Sequence, residues 1–392
     1  MLPRRLEEIV LESEPDYTLR WPRDLFFWEA TQLLKSPSTL ALSLPVLLEE
    51  AFEETGPREL FDRSMWTTRN VFDTPATGPD PERWLRELLE SKNKLQEREA
   101  PAYWANRHGL TDEAPNLHIS LSAAFLELLA EFRTHGYFPR VYPKECPDQY
   151  EDSVDAAVEQ HLRRATGIRF DWPIPYEQRD TYPEHLLYTL IEYFHDQAQR
   201  PRAFGFIHDF NKCGPHYDEG ANKQSGGAVY RWRINDLLRE HNVPLELSRN
   251  RGERGRLVRR FPSELAAGVN ETLTRHQSPD DEVAHAIRDY RTRSAGRPQK
   301  IASVTLLAGE IEKRKLTIRQ QLLKNDESAL FRIANEFSIR HRNEKQRADY
   351  SDEFLDWVFH IYVATIALAD AIDGRSAADQ GARTPGPIEN DR

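Results

Sequence analysis

Between Leu330 and Tyr350 the chain reads LFRIANEFSIRHRNEKQRADY, and Arg340, His341, Arg342, Asn343, Lys345 and Arg347 arrive together ahead of a strongly apolar segment. These are the groups that metal-free cleavage of RNA needs. An imidazole can take the proton of a 2′-hydroxyl, a guanidinium can hold charge developing on phosphate, and an amide can orient either. In that reading His341 is the general base, Arg340 and Arg342 stabilise phosphate charge, and Asn343 orients the scissile group. Lys345 and Arg347 add cationic surface, and the N-terminus of the next helix favours an anion beside it. The alternative is structural, with Arg340 and Asn343 capping helix ends and tying a bundle together.

A second set of cations lies at Arg249, Arg251, Arg254, Arg256, Arg259 and Arg260, around Gly252 and Gly255. Alternating apolar residues on either side, Val243 to Leu247 and Arg256 to Phe261, predict a hairpin turning near Asn250-Arg251-Gly252. Arg251, Arg254 and Arg256 would then face a phosphate backbone from the hairpin tip, since guanidinium grips phosphate through two parallel bonds. Charge placed there only to keep an edge strand from aggregating is the competing explanation. A third group, His208, Cys213 and His216, offers one cysteine and two histidines in a single loop. A structural zinc usually takes four ligands, so a tight buried turn explains these residues better and no metal or other cofactor is expected. No Walker A loop, GxGxxG, HExxH or GxSxG occurs.

The elements that must hold these groups are predominantly helical. With 392 residues the chain is long for one core, and Cys146 and Cys213 are too few for a disulfide framework. Net charge is −11, which argues against bulk coating of nucleic acid. The sign is nevertheless uneven: nine Arg face four acidic residues from Val229 to Arg260, and twelve Lys and Arg face six acidic residues from Arg297 to Arg347. Such basic islands can meet phosphate or the acidic remainder of the molecule. Unbroken apolar runs are short and the N-terminus carries no apolar leader, so a cytoplasmic protein without a membrane span is expected.

Capping and periodicity predict several elements. Ser43 is placed to open a helix from Leu44, Asp80-Pro81 another, and Ser120 a third that Gly136 closes. Trp66, Trp84 and Trp104 read as core anchors. Ala203 to Phe210 alternates as a strand would. Phe354, Trp357, Val358, Ile361, Leu368 and Ile372 make a wide apolar stripe on a last helix that Gly374 would end. The organisation expected is mainly α: a helical N-terminal region (1–148), a small central α/β module with the basic hairpin (149–265), a helical bundle (266–375) and a disordered tail (376–392).

The run IANEFSIRHRNEKQ, followed by Asp349-Tyr350 and the tryptophan-bearing last helix, resembles the C-terminal HEPN-like domain of abortive-infection proteins of the AbiJ type. Lys212-Cys213-Gly214-Pro215-His216-Tyr217, Tyr230-Arg231, Ile234-Asn235 and Leu237-Leu238 are similar to a module that accompanies such domains. The resemblance covers about residues 150 to 373. It implies a HEPN-like bundle that pairs into a homodimer and, in active members, a ribonuclease site near the dimer interface. It therefore implies a phage-defence or toxin-like effector acting on RNA, triggered by a phage or host protein. The active pattern separates Arg from His by four to six residues, whereas Arg340 and His341 are adjacent here. A non-catalytic sensor or scaffold dimer is the other reading.

Overall fold

The computed structural model describes residues 17–66, 80–91, 95–98, 104–108, 119–142, 154–202, 222–278, 280–321, 330, 332 and 351–381. The fold is mainly helical. Two compact units divide it, Met1–Leu237 and Leu238–Arg392.

In the first unit α1 (Arg23–Leu34) packs on α2 (Pro37–Ala51), and α2 packs on α3 (Gly56–Trp66) and α4 (Pro81–Glu90). Asp80 opens α4 by accepting a hydrogen bond from the Glu82 amide at 2.9 Å. Ser120 likewise caps α6 (Leu121–Thr134), and Gly136 follows it with a φ of 72°. Ser43 does not open a helix. It lies inside α2, which starts six residues earlier at Pro37, and its hydroxyl donates back to the Thr39 carbonyl. Pro45 is also inside α2; the carbonyl its missing N–H would have bonded, that of Ala41, belongs to an exposed residue that water can serve.

Beyond the short α5 (Trp104–Arg107), α7 (Val154–Thr166) packs on α8 (Glu184–Gln197), and α9 (Lys223–Glu240) follows. Phe132, Phe138, Phe194 and Tyr230 form an aromatic core with ring centroids 5.0 to 6.2 Å apart. Trp84 packs on Phe61, but Trp104 is 61% exposed and lies against His108. It is a surface residue of a four-residue helix rather than a core anchor. The side chain of Trp66 and the expected strand 203–210 lie outside the described residues.

The second unit carries the hairpin β1 (Leu245–Leu247) and β2 (Leu257–Arg259), antiparallel with Leu245 opposite Arg259. A bundle follows: α10 (Ser263–Arg275), α11 (Glu282–Arg291), α12 (Arg297–Lys313), α13 (Lys315–Gln321) and α14 (Asp352–Gly381). α11 packs on α12, and α10, α12 and α13 pack on α14. Leu355, Val358, Phe359, Tyr362, Val363 and Ile366 of α14 are buried, and Phe359 stacks on Tyr290 at 4.0 Å. Residues Asp352–Arg375 are long and apolar enough to cross a membrane by length and composition, a feature that short unbroken apolar runs concealed. Here they make the central helix of this core. Gly374 does not end α14, which continues through Arg375, Ala377 and Ala378, all good helix formers.

Polar ties lock the bundle. The two ring nitrogens of His276 lie 2.8 Å from Asp281 and 2.8 Å from Asp370. Buried Lys300 reaches Asp356, which also accepts from the Tyr290 hydroxyl. Burial alone would raise the Glu310 carboxyl, but hydrogen bonds from Lys313 and Arg314 outweigh it and hold it down to about 2. A depressed native pKa adds stability that is present above the ordinary carboxylate range and lost as pH falls toward that lowered value. Glu310→Gln is therefore expected to flatten the fall in melting temperature below about pH 5, measured by circular dichroism. An unchanged acid limb would remove Glu310 from the account.

Candidate nucleic-acid interface

The hairpin loop Ser248–Arg256 contains four arginines and one acidic residue, Glu253. Its backbone folds back on itself: the Gly255 amide donates to the Ser248 carbonyl at 2.8 Å, and the Ser248 amide to the Arg256 carbonyl at 2.9 Å. Gly252 and Gly255 sit at φ of 92° and 73°, where a side chain would strain the turn.

Glu253 decides the electrostatics of this loop. Its side chain turns inward and is 8% exposed. There it accepts from the Ser248 hydroxyl at 2.7 Å and from Arg291 Nη1 at 3.0 Å. The other arm of Arg291 reaches Glu246 on β1 at 2.9 Å. Burial raises the Glu246 carboxyl above its ordinary range, and the Arg291 charge opposes that rise. Asn250 ties the loop to α10 by donating to Asn270 at 2.8 Å. With its only carboxylate withdrawn, the loop leaves Arg249, Arg251, Arg254 and Arg256 exposed.

Beneath the turn lies another guanidinium. A side chain at Gly252 would meet Arg288 Cζ at 3.1 Å and its Nε at 3.2 Å, so glycine is what allows Arg288 to sit directly under the loop. Arg288 was invisible to sequence reasoning, because it comes from α11, more than thirty residues away. Five cationic side chains thus belong to one clamped loop and its support. Such an arrangement suits a polyanion whose charges are regularly spaced, and it needs little reordering to bind one.

No family model, curated protein or solved structure matches this chain. Of the residues expected to touch nucleic acid, Arg251, Arg254 and Arg256 share this surface. Arg340, His341, Arg342, Asn343, Lys345 and Arg347 lie outside the described residues, as do His208, Cys213 and His216. Arg259, which the sequence grouped with the finger, instead pairs with Asp356 at 3.3 Å and braces the bundle.

Proposed function

We propose that the protein is an RNA-acting effector of the abortive-infection kind, working in the cytoplasm and holding RNA through the basic hairpin of its C-terminal unit. The observation that carries this reading is the inward turn of Glu253, which leaves the outer side of an eight-residue stretch, 249–256, with guanidiniums as its only charged groups. Phosphate contacts of this kind position a strand without reading its sequence. The resemblance of residues 330–350 to a HEPN-like segment adds the reactive groups: His341 as general base, Arg340 and Arg342 at the phosphate, Asn343 orienting the scissile bond.

Pairing of two chains through the bundle belongs to the same proposal. Phe354, Trp357, Ile361, Ala364, Leu368 and Ala371 recur along α14 at alternating steps of three and four. That is the spacing of a helix seam, and Trp357 remains 49% exposed and Leu368 40%.

The test uses the full-length protein and structured RNA in EDTA, beside Arg340→Ala/His341→Ala. Cleavage that survives EDTA and disappears in the double variant is the expected result. Binding without cleavage by either protein supports the second reading, a non-catalytic RNA-binding scaffold, which the same clamped loop also favours. Absence of RNA binding by the wild-type protein rejects both.

A further inference from the structure

The loop Ser248–Arg256 offers a polyanion charge and little else. Apart from its four arginines, its polar side chains are Ser248, Asn250 and Glu253, and all three are engaged within the protein. The Ser248 hydroxyl donates to Glu253, and the Asn250 amide reaches Asn270 at 2.8 Å and Glu253 at 3.5 Å. Aromatic surface is missing as well. From Val243 to Phe261 the one aromatic residue is Phe261 itself. It is 8% exposed, with the Arg291 guanidinium 5.8 Å from its ring centroid.

That composition separates the two forms of RNA. Single strands are held by stacking their unpaired bases on aromatic faces beside a cationic groove. In a duplex the bases already stack on one another, and a protein meets phosphates and shape. Where charge alone is offered, the denser polyanion is held more tightly. A duplex carries about one charge per 1.7 Å of axis, roughly twice the density of either strand. Each phosphate contact accordingly contributes about 0.9 to the salt slope on a duplex and about 0.7 on a single strand. For four contacts at ~0.15 M salt, that difference alone is about fivefold in affinity.

The backbone points the same way. Arg249 and Arg251 precede the turn at Gly252, and Arg254 and Arg256 follow it. Hydrogen bonds between Ser248 and Arg256 and between Gly255 and Ser248 hold the two arms side by side, about 5 Å apart as neighbouring strands are. The loop is thus a narrow ribbon with two arginines on each arm. A duplex presents its phosphates in two rows with a groove between them, and a two-stranded ribbon can lie along such a groove. A single strand presents one row. Only the duplex gives each arm a row of its own.

Resting on the RNA reading above, we infer that the form of RNA this hairpin holds is the duplex, with one arm against each phosphate row.

Fluorescence anisotropy with the full-length protein tests it. The probes are a polypyrimidine strand and the duplex formed with its complement. Both are 2′-O-methylated, which keeps the A-form and blocks cleavage through the 2′-oxygen. At ~0.15 M salt the duplex is expected to bind about tenfold more tightly or better, with the steeper salt slope. Arg249→Ala/Arg251→Ala and Arg254→Ala/Arg256→Ala should each weaken duplex binding by about tenfold or more, with melting temperatures close to wild type. Neither should change single-strand binding by more than about twofold, because the remaining arm can still serve one row. Equal or tighter binding of the single strand would overturn the inference and leave the RNA reading standing, since the guanidiniums would then be stacking on bases. Duplex affinity that depends on one arm alone would overturn it too. Binding of neither form would reject the RNA reading itself, and the duplex with it.

Discussion

Replacing Arg251, Arg254 and Arg256 together by alanine is expected to weaken RNA binding by about a hundredfold at near-physiological salt. Each phosphate contact releases counterions and contributes roughly 0.7 to 0.9 to the slope of log affinity against log salt. Three lost contacts should therefore lower that slope by about two. At ~0.15 M salt, contacts of this size are each equivalent to about a fivefold factor. All three side chains are exposed, so the melting temperature should hold and the loss should be one of affinity alone. Filter binding or fluorescence anisotropy over a range of salt concentrations separates the possibilities. A weaker affinity with an unaltered slope would place the phosphate contacts elsewhere, and an unaltered affinity would remove the hairpin from the interface.

Why these arginines were legible in the sequence while the way the fold presents them was not follows from the range of the interactions involved. A hairpin between two short apolar alternations is a local event, as are the caps at Asp80 and Ser120 and the left-handed residue at Gly136. The caps depend on partners within four residues and the hairpin on partners within fourteen, and each appears where spacing placed it. The withdrawal of Glu253 depends on Arg291, 38 residues later, and the filling under Gly252 depends on Arg288. No pattern within a window joins them. In the sequence Glu253 reads as one more exposed charge that dilutes a basic run; in the fold its removal is what makes the run uniformly cationic.

The same limit hid a cleft of about 550 Å³ in the first unit. Its walls come from positions 20–21, 46–62, 131–137 and 229–233, and each taken alone looks like ordinary helix or turn. One signal was available. Four glutamates at 49, 50, 53 and 54 follow an apolar helical run, where a helix C-terminus favours bases. Misplacing the start of α2 at Ser43 obscured it, because Ser36-Pro37 is an equally good opening and Pro45 disguised the continuity of the helix.

Arg291→Met is expected to destabilise the protein by about 3 to 5 kcal/mol, the range found when one partner of a buried ion pair is removed. Arg291 is 2% exposed, and it serves two carboxylates at once, Glu253 on the loop and Glu246 on β1. Methionine fills much of the volume against Phe261, over which the guanidinium lies at 5.8 Å, so the deficit is chiefly electrostatic. Glu246 gives the loss a pH signature. Burial already raises its carboxyl above the ordinary range, and Arg291 is the largest force opposing that; without Arg291 the native state favours the protonated form more strongly. A raised native pKa contributes stability below the ordinary carboxylate value and loses it as pH rises through the raised one. The deficit of the variant should accordingly be greatest at neutral pH and shrink on acidification, in chemical denaturation followed by circular dichroism. Adding Glu253→Gln to Arg291→Met should recover part of the stability, because it removes one stranded charge. It should not recover RNA affinity, since the loop would no longer be clamped to α11. A loss of less than about 1 kcal/mol, or a deficit independent of pH, would show that the loop is held by its backbone bonds alone and that the inward turn of Glu253 is incidental to how the arginines are presented.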